Sequence, residues 1–268
     1  MKSTWFSRKP HHEFAKCLRE ADYGRSTWEL YSDFLLLAYS CLVQSVHKLR
    51  TGELNTTIEE DYLRTIKRYK NPSKMSEAMA HLVLALEAER YDFLGTVAGE
   101  LEILNEWHGQ FFTPSEVCKL MARMTMGENR PDPERRLTIC EPASGAGAMC
   151  LAVAGVLHDN GFAPWNYWIT AIDVDVKMAM ATYIQLTLCG IPANVIWGNT
   201  LSLKIHRDEP TIVGVLHPYR PSATERAETA ARAAADLEKQ AAAAQAAQQA
   251  ELEARIRQNK GQLELFAF

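Results

Sequence analysis

No apolar run in this 268-residue chain approaches the ~18 residues needed to cross a bilayer, and charged residues make up 23% of it. A membrane-spanning protein is therefore not expected. Met1 to Pro10 is polar and basic and has no apolar h-region, so no secretory signal is read there. The six cysteines (Cys17, Cys41, Cys118, Cys140, Cys150, Cys189) form no C-x-x-C pair that could hold zinc or act as a dithiol couple. They read as reduced, mostly buried thiols of a cytoplasmic protein. A large excess of one charge is also missing. The net charge is -4, which excludes a chain coated in basic patches. The balance is uneven, however: residues 1–74 carry 13 Lys and Arg against 9 Asp and Glu, and the rest carries 16 against 24. Any nucleic-acid contact is better placed in the N-terminal region.

What is present is 47% apolar residues, enough for one large core or two modest ones. From Ser26 to about Glu106 these recur at helical spacing: Trp28, Tyr31, Leu35, Ala38, Leu42 and Val46, then Leu82, Leu84, Leu86, Phe93, Leu94, Val97, Leu101 and Leu104. Thr51-Gly52 and Asn71-Pro72-Ser73 interrupt the run with turn and capping chemistry. Residues 1–108 are expected to form an all-α N-terminal domain of three or four helices. Between about 109 and 220 the rhythm changes. Short β-rich runs at Leu137–Cys140, Trp168–Ile172, Ala193–Trp197 and Thr211–Leu216 alternate with helical stretches near 115–126, 147–158 and 177–189. This alternation predicts an α/β region with a parallel sheet. Alanine makes up close to half of residues 222–250, so 221–259 is expected as a long Ala-rich C-terminal helix, with large apolar residues too sparse for a coiled-coil seam. Residues 260–268 remain as a short terminal peptide.

The chemistry gathers in the middle region. The first β run leads into Glu141-Pro142-Ala143-Ser144-Gly145-Ala146-Gly147. An acid at the end of a strand, followed by glycines that admit a ligand to the backbone and open a helix, suits a nucleoside-bearing ligand. The full G-x-G-x-x-G of dinucleotide binders is absent, since position 150 is Cys. Asp173 ends the second run, where a carboxylate can accept from both ribose hydroxyls, and Gly198-Asn199-Thr200-Leu201 ends the third. Upstream stands Gly109-Gln110-Phe111-Phe112-Thr113-Pro114. Each piece has a plainer reading on its own: an ordinary strand exit, a helix cap, core aromatics.

Taken in order, these residues resemble the adenine-N6 DNA methyltransferases, in particular the modification subunits of type I restriction systems. Gly109–Pro114 matches the family's G-Q-[FY]-[FY]-T-P, and Glu141–Gly147 matches its [DE]-P-[AT]-x-G-x-G loop. Gly198–Leu201 resembles G-[DN]-[ST]-L. The resemblance implies a Rossmann-like class I methyltransferase core, here truncated, with S-adenosyl-L-methionine as cofactor and DNA as substrate. By the same resemblance Phe111, Thr113, Pro114, Glu141, Ala143, Ser144, Gly145 and Gly147 would surround the methionine part. Asp173 and Val174 would hold the ribose, and Asn199 the adenine. The family's base-holding motif is [DN]-P-P-[FY] at the end of a fourth strand. This chain has Leu216-His217-Pro218-Tyr219 after the fourth β run. Pro218 and Tyr219 fit, and His217 is either a substitute base or acceptor or a plain loop residue beside a proline turn. Leu216, where Asn or Asp belongs, cannot accept a hydrogen bond, so transfer is expected to be weak or lost. The alternative is a non-catalytic DNA- or partner-binding regulator or antirestriction decoy.

Two further features remain. Arg64, Lys67, Arg68, Lys70 and Lys74 form a cluster suited to phosphate contacts from one helical face, although a solvated helix face explains it as simply. Gln262-Leu263-Glu264-Leu265-Phe266 resembles the bacterial sliding-clamp-binding pentapeptide, in which Gln262, Leu263, Leu265 and Phe266 would make the contact; the tail could equally fold back or pack a homodimer. The expected partners are thus DNA, the replication clamp, and a specificity or methyltransferase subunit.

Overall fold

In the computed structural model, the described residues are 9–101, 113–132 and 135–218, together with seven positions between 231 and 243. The first helix, α1 (Lys9–Ala21), lies within the expected helical domain but before the periodic run that starts at Ser26. Its buried face is His11, Phe14, Ala15, Leu18 and Ala21, an i, i+3, i+4, i+7 stripe in which a histidine takes an apolar position. Helix α2 (Thr27–Thr51) is started by a reciprocal capping box between Ser26 and Glu29 and stopped by Gly52 in the left-handed conformation. Asn55 caps α3 (Thr56–Ile66) through its side chain. Pro72 precedes α4 (Ser73–Ala88), and Asp92 caps α5 (Phe93–Glu100) by accepting from Gly95 N.

Helix α6 (Ser115–Met126) leads to a four-stranded sheet in the order β1 (Leu137–Glu141), β2 (Tyr167–Asp173), β3 (Ala193–Asn199), β4 (Lys204–Pro210). The first three strands are parallel, joined by α7 (Ala148–Asp159) and α8 (Val176–Leu188), as the strand–helix alternation predicts. The fourth element departs from the expectation. Residues 212–216 form a short helix, α9 (Ile212–Leu216), and the fourth strand is the preceding Lys-Ile-His-Arg-Asp-Glu-Pro segment, antiparallel to β3. Thr211 decides the matter locally. Its fully buried hydroxyl accepts from Gly214 N and from Ala193 N and donates to Ile191 O, capping α9 and pinning it to the start of β3.

Residues 1–219 make one compact unit, and residues 220–268 a second. In the first unit the N-terminal helices and the sheet region share a hydrophobic core: Phe14, Tyr31, Phe34, Leu94, Ile169, Tyr183 and Leu186 belong to one buried cluster. Helix α2 packs on α8, with Tyr39 and Tyr183 edge to face at 5.2 Å. In the second unit, Ala231, Ala234, Ala235, Glu238, Lys239, Ala242 and Ala243 are helical and exposed. No helix among the described residues is long and apolar enough to cross a membrane.

Candidate functional site

The carboxyl ends of three parallel strands open side by side, where a crossover sheet places ligands. Glu141 ends β1, Asp173 ends β2 and Asn199 ends β3. The register pairs Glu141 with Ala171, so Asp173 stands two residues further along the neighbouring strand on the same face of the sheet. The loop after β1 folds across to β2: Ser144 N donates to Ile172 O (2.8 Å), and Gly145 N donates to Asp173 Oδ2 (2.8 Å). The other carboxylate oxygen of Asp173 accepts from Asp175 N (2.8 Å). Asp173 is buried at 7% exposure; burial raises its pKa, and the amides of Asp175 and Gly145 pull it back.

The glycine turn is shaped from both sides. Gly145 and Gly147 have φ of 55° and 101°. A Cβ at Gly147 would also lie 3.2 Å from Thr182 Oγ1, so this position needs glycine for conformation and for space. Among the described residues no side chain caps the amino end of α7 that follows. Glu141 accepts from Ala143 N at 3.2 Å, and Val174, just past the end of β2, is 66% exposed. Asn199 uses its amide oxygen to hold the next turn, accepting from Leu201 N and Ser202 N, which leaves its NH2 for other partners. Thr113 and Pro114 are exposed immediately before α6. Phe111 lies outside the described residues.

Thr182, Gln185 and Asp92 escaped the sequence reading, and Thr200 was read only as part of the Gly198–Leu201 run. Thr182 of α8 donates to Gly145 O (2.7 Å), and Thr200 donates to Pro142 O (2.7 Å). Gln185 donates to Ala146 O (2.7 Å) and to Asp92 Oδ1 (2.8 Å), so the loop is tied to the cap of α5. The available signal was a pair of polar residues, Thr182 and Gln185, three apart on the apolar side of a helix. Buried polar groups there need partners.

His217 and Pro218 are not brought to this site, which corrects the expectation built on a fourth parallel strand. His217 O and Pro218 O both accept from the Arg136 guanidinium, which also donates to Tyr167 O and Pro164 O. Those groups mark the amino ends of β1 and β2, the opposite end of the sheet from Glu141, by a strand length of roughly 16 Å. The His217 ring lies 5.7 Å from Trp165, and Leu216 is 60% exposed. Tyr219 is outside the described residues. The basic cluster is also dispersed rather than gathered on one helical face. Arg64 sits on α3, Lys67 caps it, Arg68 and Lys70 lie in the connection, and Lys74 is on α4. Arg64 pairs with Asp61, Arg68 with Asp33, Lys70 with Asp22, and Lys74 with Glu20 and Glu77. Only Lys67 of the five has no ion-pair partner among the described residues. The peptide Gln262, Leu263, Leu265 and Phe266 lies outside the described residues.

The family model for N-6 DNA methylases matches residues 101–246, more than half of the chain and all of the sheet. The chain belongs to the N-6 DNA methylase family. Two solved structures are similar. A putative class I S-adenosylmethionine-dependent methyltransferase from Listeria monocytogenes is 13% identical, with a TM-score of 0.40 over 69% of this chain and 52% of that one. The type I restriction-modification system methyltransferase subunit from Streptococcus thermophilus is 12% identical, with a TM-score of 0.33 over 69% of this chain and 55% of that one. This family member thus spans about half the length of either chain. No curated protein matches it.

Proposed function

We propose that the chain binds S-adenosylmethionine across the carboxyl ends of β1, β2 and β3, as a member of a DNA adenine-N6 methylation system, and transfers methyl groups weakly or not at all by itself. The observation that carries the reading is Asp173: a nearly buried carboxylate at the tip of the second parallel strand that also holds the glycine turn by Gly145 N. A carboxylate has about four acceptor sites. Two are used by the loop amides, which leaves capacity for the hydroxyls of a ribose. Gly145 to Gly147 would lie beneath the amino-acid part, with the uncapped start of α7 offering N–H groups to its carboxylate. Glu141 would accept from its ammonium group, and the Asn199 NH2 would donate to an adenine ring nitrogen. When bound, the cofactor supplies an electrophilic methyl group on sulfonium.

Transfer needs acceptors that draw off the hydrogens of the adenine amino group, and losing one such positioned group commonly costs ~10²–10³ in rate. Leu216 has no acceptor, and His217 and Pro218 stand at the other end of the sheet. The base must therefore be held by groups from elsewhere, such as a partner subunit. Calorimetric titration of the folded chain with S-adenosylmethionine tests the first half: saturable binding that is lost in Asp173→Ala is expected, and no binding by the wild type rejects it. Tritiated methyl transfer to unmethylated plasmid DNA tests the second half. Background incorporation is expected, and robust incorporation by the chain alone overturns it.

A further inference from the structure

Helix α6 is apolar on the wrong side for a helix that serves only its own domain. It packs on α7, and its buried residues are small: Cys118 and Ala122, each 1% exposed. Its large apolar residues face out. Val117, Leu120, Met121 and Met124 are 43%, 59%, 47% and 77% exposed and follow the i, i+3, i+4, i+7 spacing of a helix-packing stripe. A contiguous stripe of this kind marks an interaction surface more often than four isolated exposed residues would. The strand that follows, β1, ends the sheet among the described residues, with Thr138 and Cys140 exposed.

The charges beside the stripe say what fits it. Glu116 and Arg123 are both exposed and are seven residues apart, so they flank the same edge of the stripe one heptad from each other. Neither has an ion-pair partner among the described residues. When two copies of α6 pack antiparallel, that edge meets the same edge of the other helix running the opposite way. Val117 then meets Met124 of the second copy, Leu120 meets Met121, and Glu116 comes within reach of Arg123 twice over. A parallel arrangement does not oppose these two residues. We propose that α6 is a self-association surface on which a second copy of this chain docks antiparallel, about a twofold axis near Leu120 and Met121. An interface centred on one 12-residue helix lies at the small end of the size range, so the dimer is expected to dissociate in the micromolar range.

Sedimentation velocity on the full chain, from low to high micromolar concentration, tests this. The wild type is expected to shift from monomer to dimer mass, and Leu120→Glu with Met124→Glu to stay monomeric. These positions are exposed, and an unchanged circular dichroism spectrum confirms the fold. Glu116→Arg alone and Arg123→Glu alone each place like charges together twice and should weaken association roughly tenfold. The double reversal Glu116→Arg/Arg123→Glu restores each opposite pair and should return the wild-type constant. A wild type that is monomeric throughout, a dimer indifferent to Leu120→Glu/Met124→Glu, or a double reversal that fails to recover overturns the proposal.

Discussion

Asp173 carries a charge into a place that water barely reaches, and its two loop amides offset only part of that cost. The result is a carboxyl whose pKa is raised by burial, which makes the proposed cofactor contact sensitive to acid. The ionised form accepts hydroxyl hydrogens and the Gly145 amide together; the protonated form gives up part of that capacity. S-adenosylmethionine affinity is therefore expected to hold at neutral and alkaline pH. It should fall on acidification at a higher pH than an ordinary aspartate of pKa 3.8 would give, as isothermal titration across a pH series can show. Asp173→Asn should abolish most of this dependence along with most of the affinity. Gly147 makes a second residue-scale case. Because its φ is 101° and Thr182 lies against the missing Cβ, Gly147→Ala forces the loop to move. Cofactor affinity should drop at least tenfold while the far-ultraviolet spectrum stays unchanged; equal affinity would show that the loop tolerates another path.

At the level of elements, α9 shows how a few polar contacts outrank local propensity. Thr-Ile-Val-Gly-Val is β-rich and reads as a strand, yet the Thr211 hydroxyl makes three buried hydrogen bonds that start a helical turn and fix it under β3. Thr211→Ala should cost about 2 kcal/mol in a urea melt, with Thr211→Ser recovering about half, because the serine hydroxyl keeps the bonds and loses only the methyl packing. An alanine variant as stable as the wild type would show that the cap is ornamental. The real fourth strand was illegible for the complementary reason. Lys204–Pro210 is polar and mostly exposed, with no alternation to read, and it is a strand because the turn held by Asn199 returns it along β3, where Trp197 stacks on His206 at 4.6 Å. The parallel strands, by contrast, were plain in the sequence, since short β-rich runs ending in Glu141, Asp173 and Asn199 have both the composition and the punctuation of a crossover sheet. So were α2 and its stop at Gly52. Helix α1 was hidden by His11, which occupies an apolar position because Glu100 and Tyr91 satisfy its two ring nitrogens at 2.9 and 2.8 Å. No local pattern announces partners 80 and 89 residues away.

For the molecule as a whole, the question is what joins the helical layer to the cofactor loop, and Gln185 is placed to answer it. Its NH2 donates to Asp92 at the cap of α5 and to Ala146 O in the glycine turn, while its oxygen accepts from Leu94 N. Asp92 is buried, and that burial pushes its carboxyl up while Gln185 and Gly95 hold it down. Gln185→Leu removes a donor from a buried carboxylate and leaves Ala146 O and Leu94 N unpaired, a change expected to cost about 3 kcal/mol at neutral pH. The sign of the pH dependence follows from the raised pKa. A folded-state acid that binds its proton more tightly than the unfolded chain destabilises the fold above its raised pKa. The penalty fades as pH falls through that value and is gone below the ordinary 3.8. With Gln185 replaced by leucine the Asp92 pKa rises further, so the variant carries the larger penalty and regains more of it on acidification. Urea melts at pH 7.5 and pH 5 should therefore show the stability gap between Gln185→Leu and wild type narrowing at the lower pH. A gap that stays constant would mean that the loss is one of packing alone, and that the carboxylate of Asp92 does not couple the helices to the loop that Gly145 and Asp173 close.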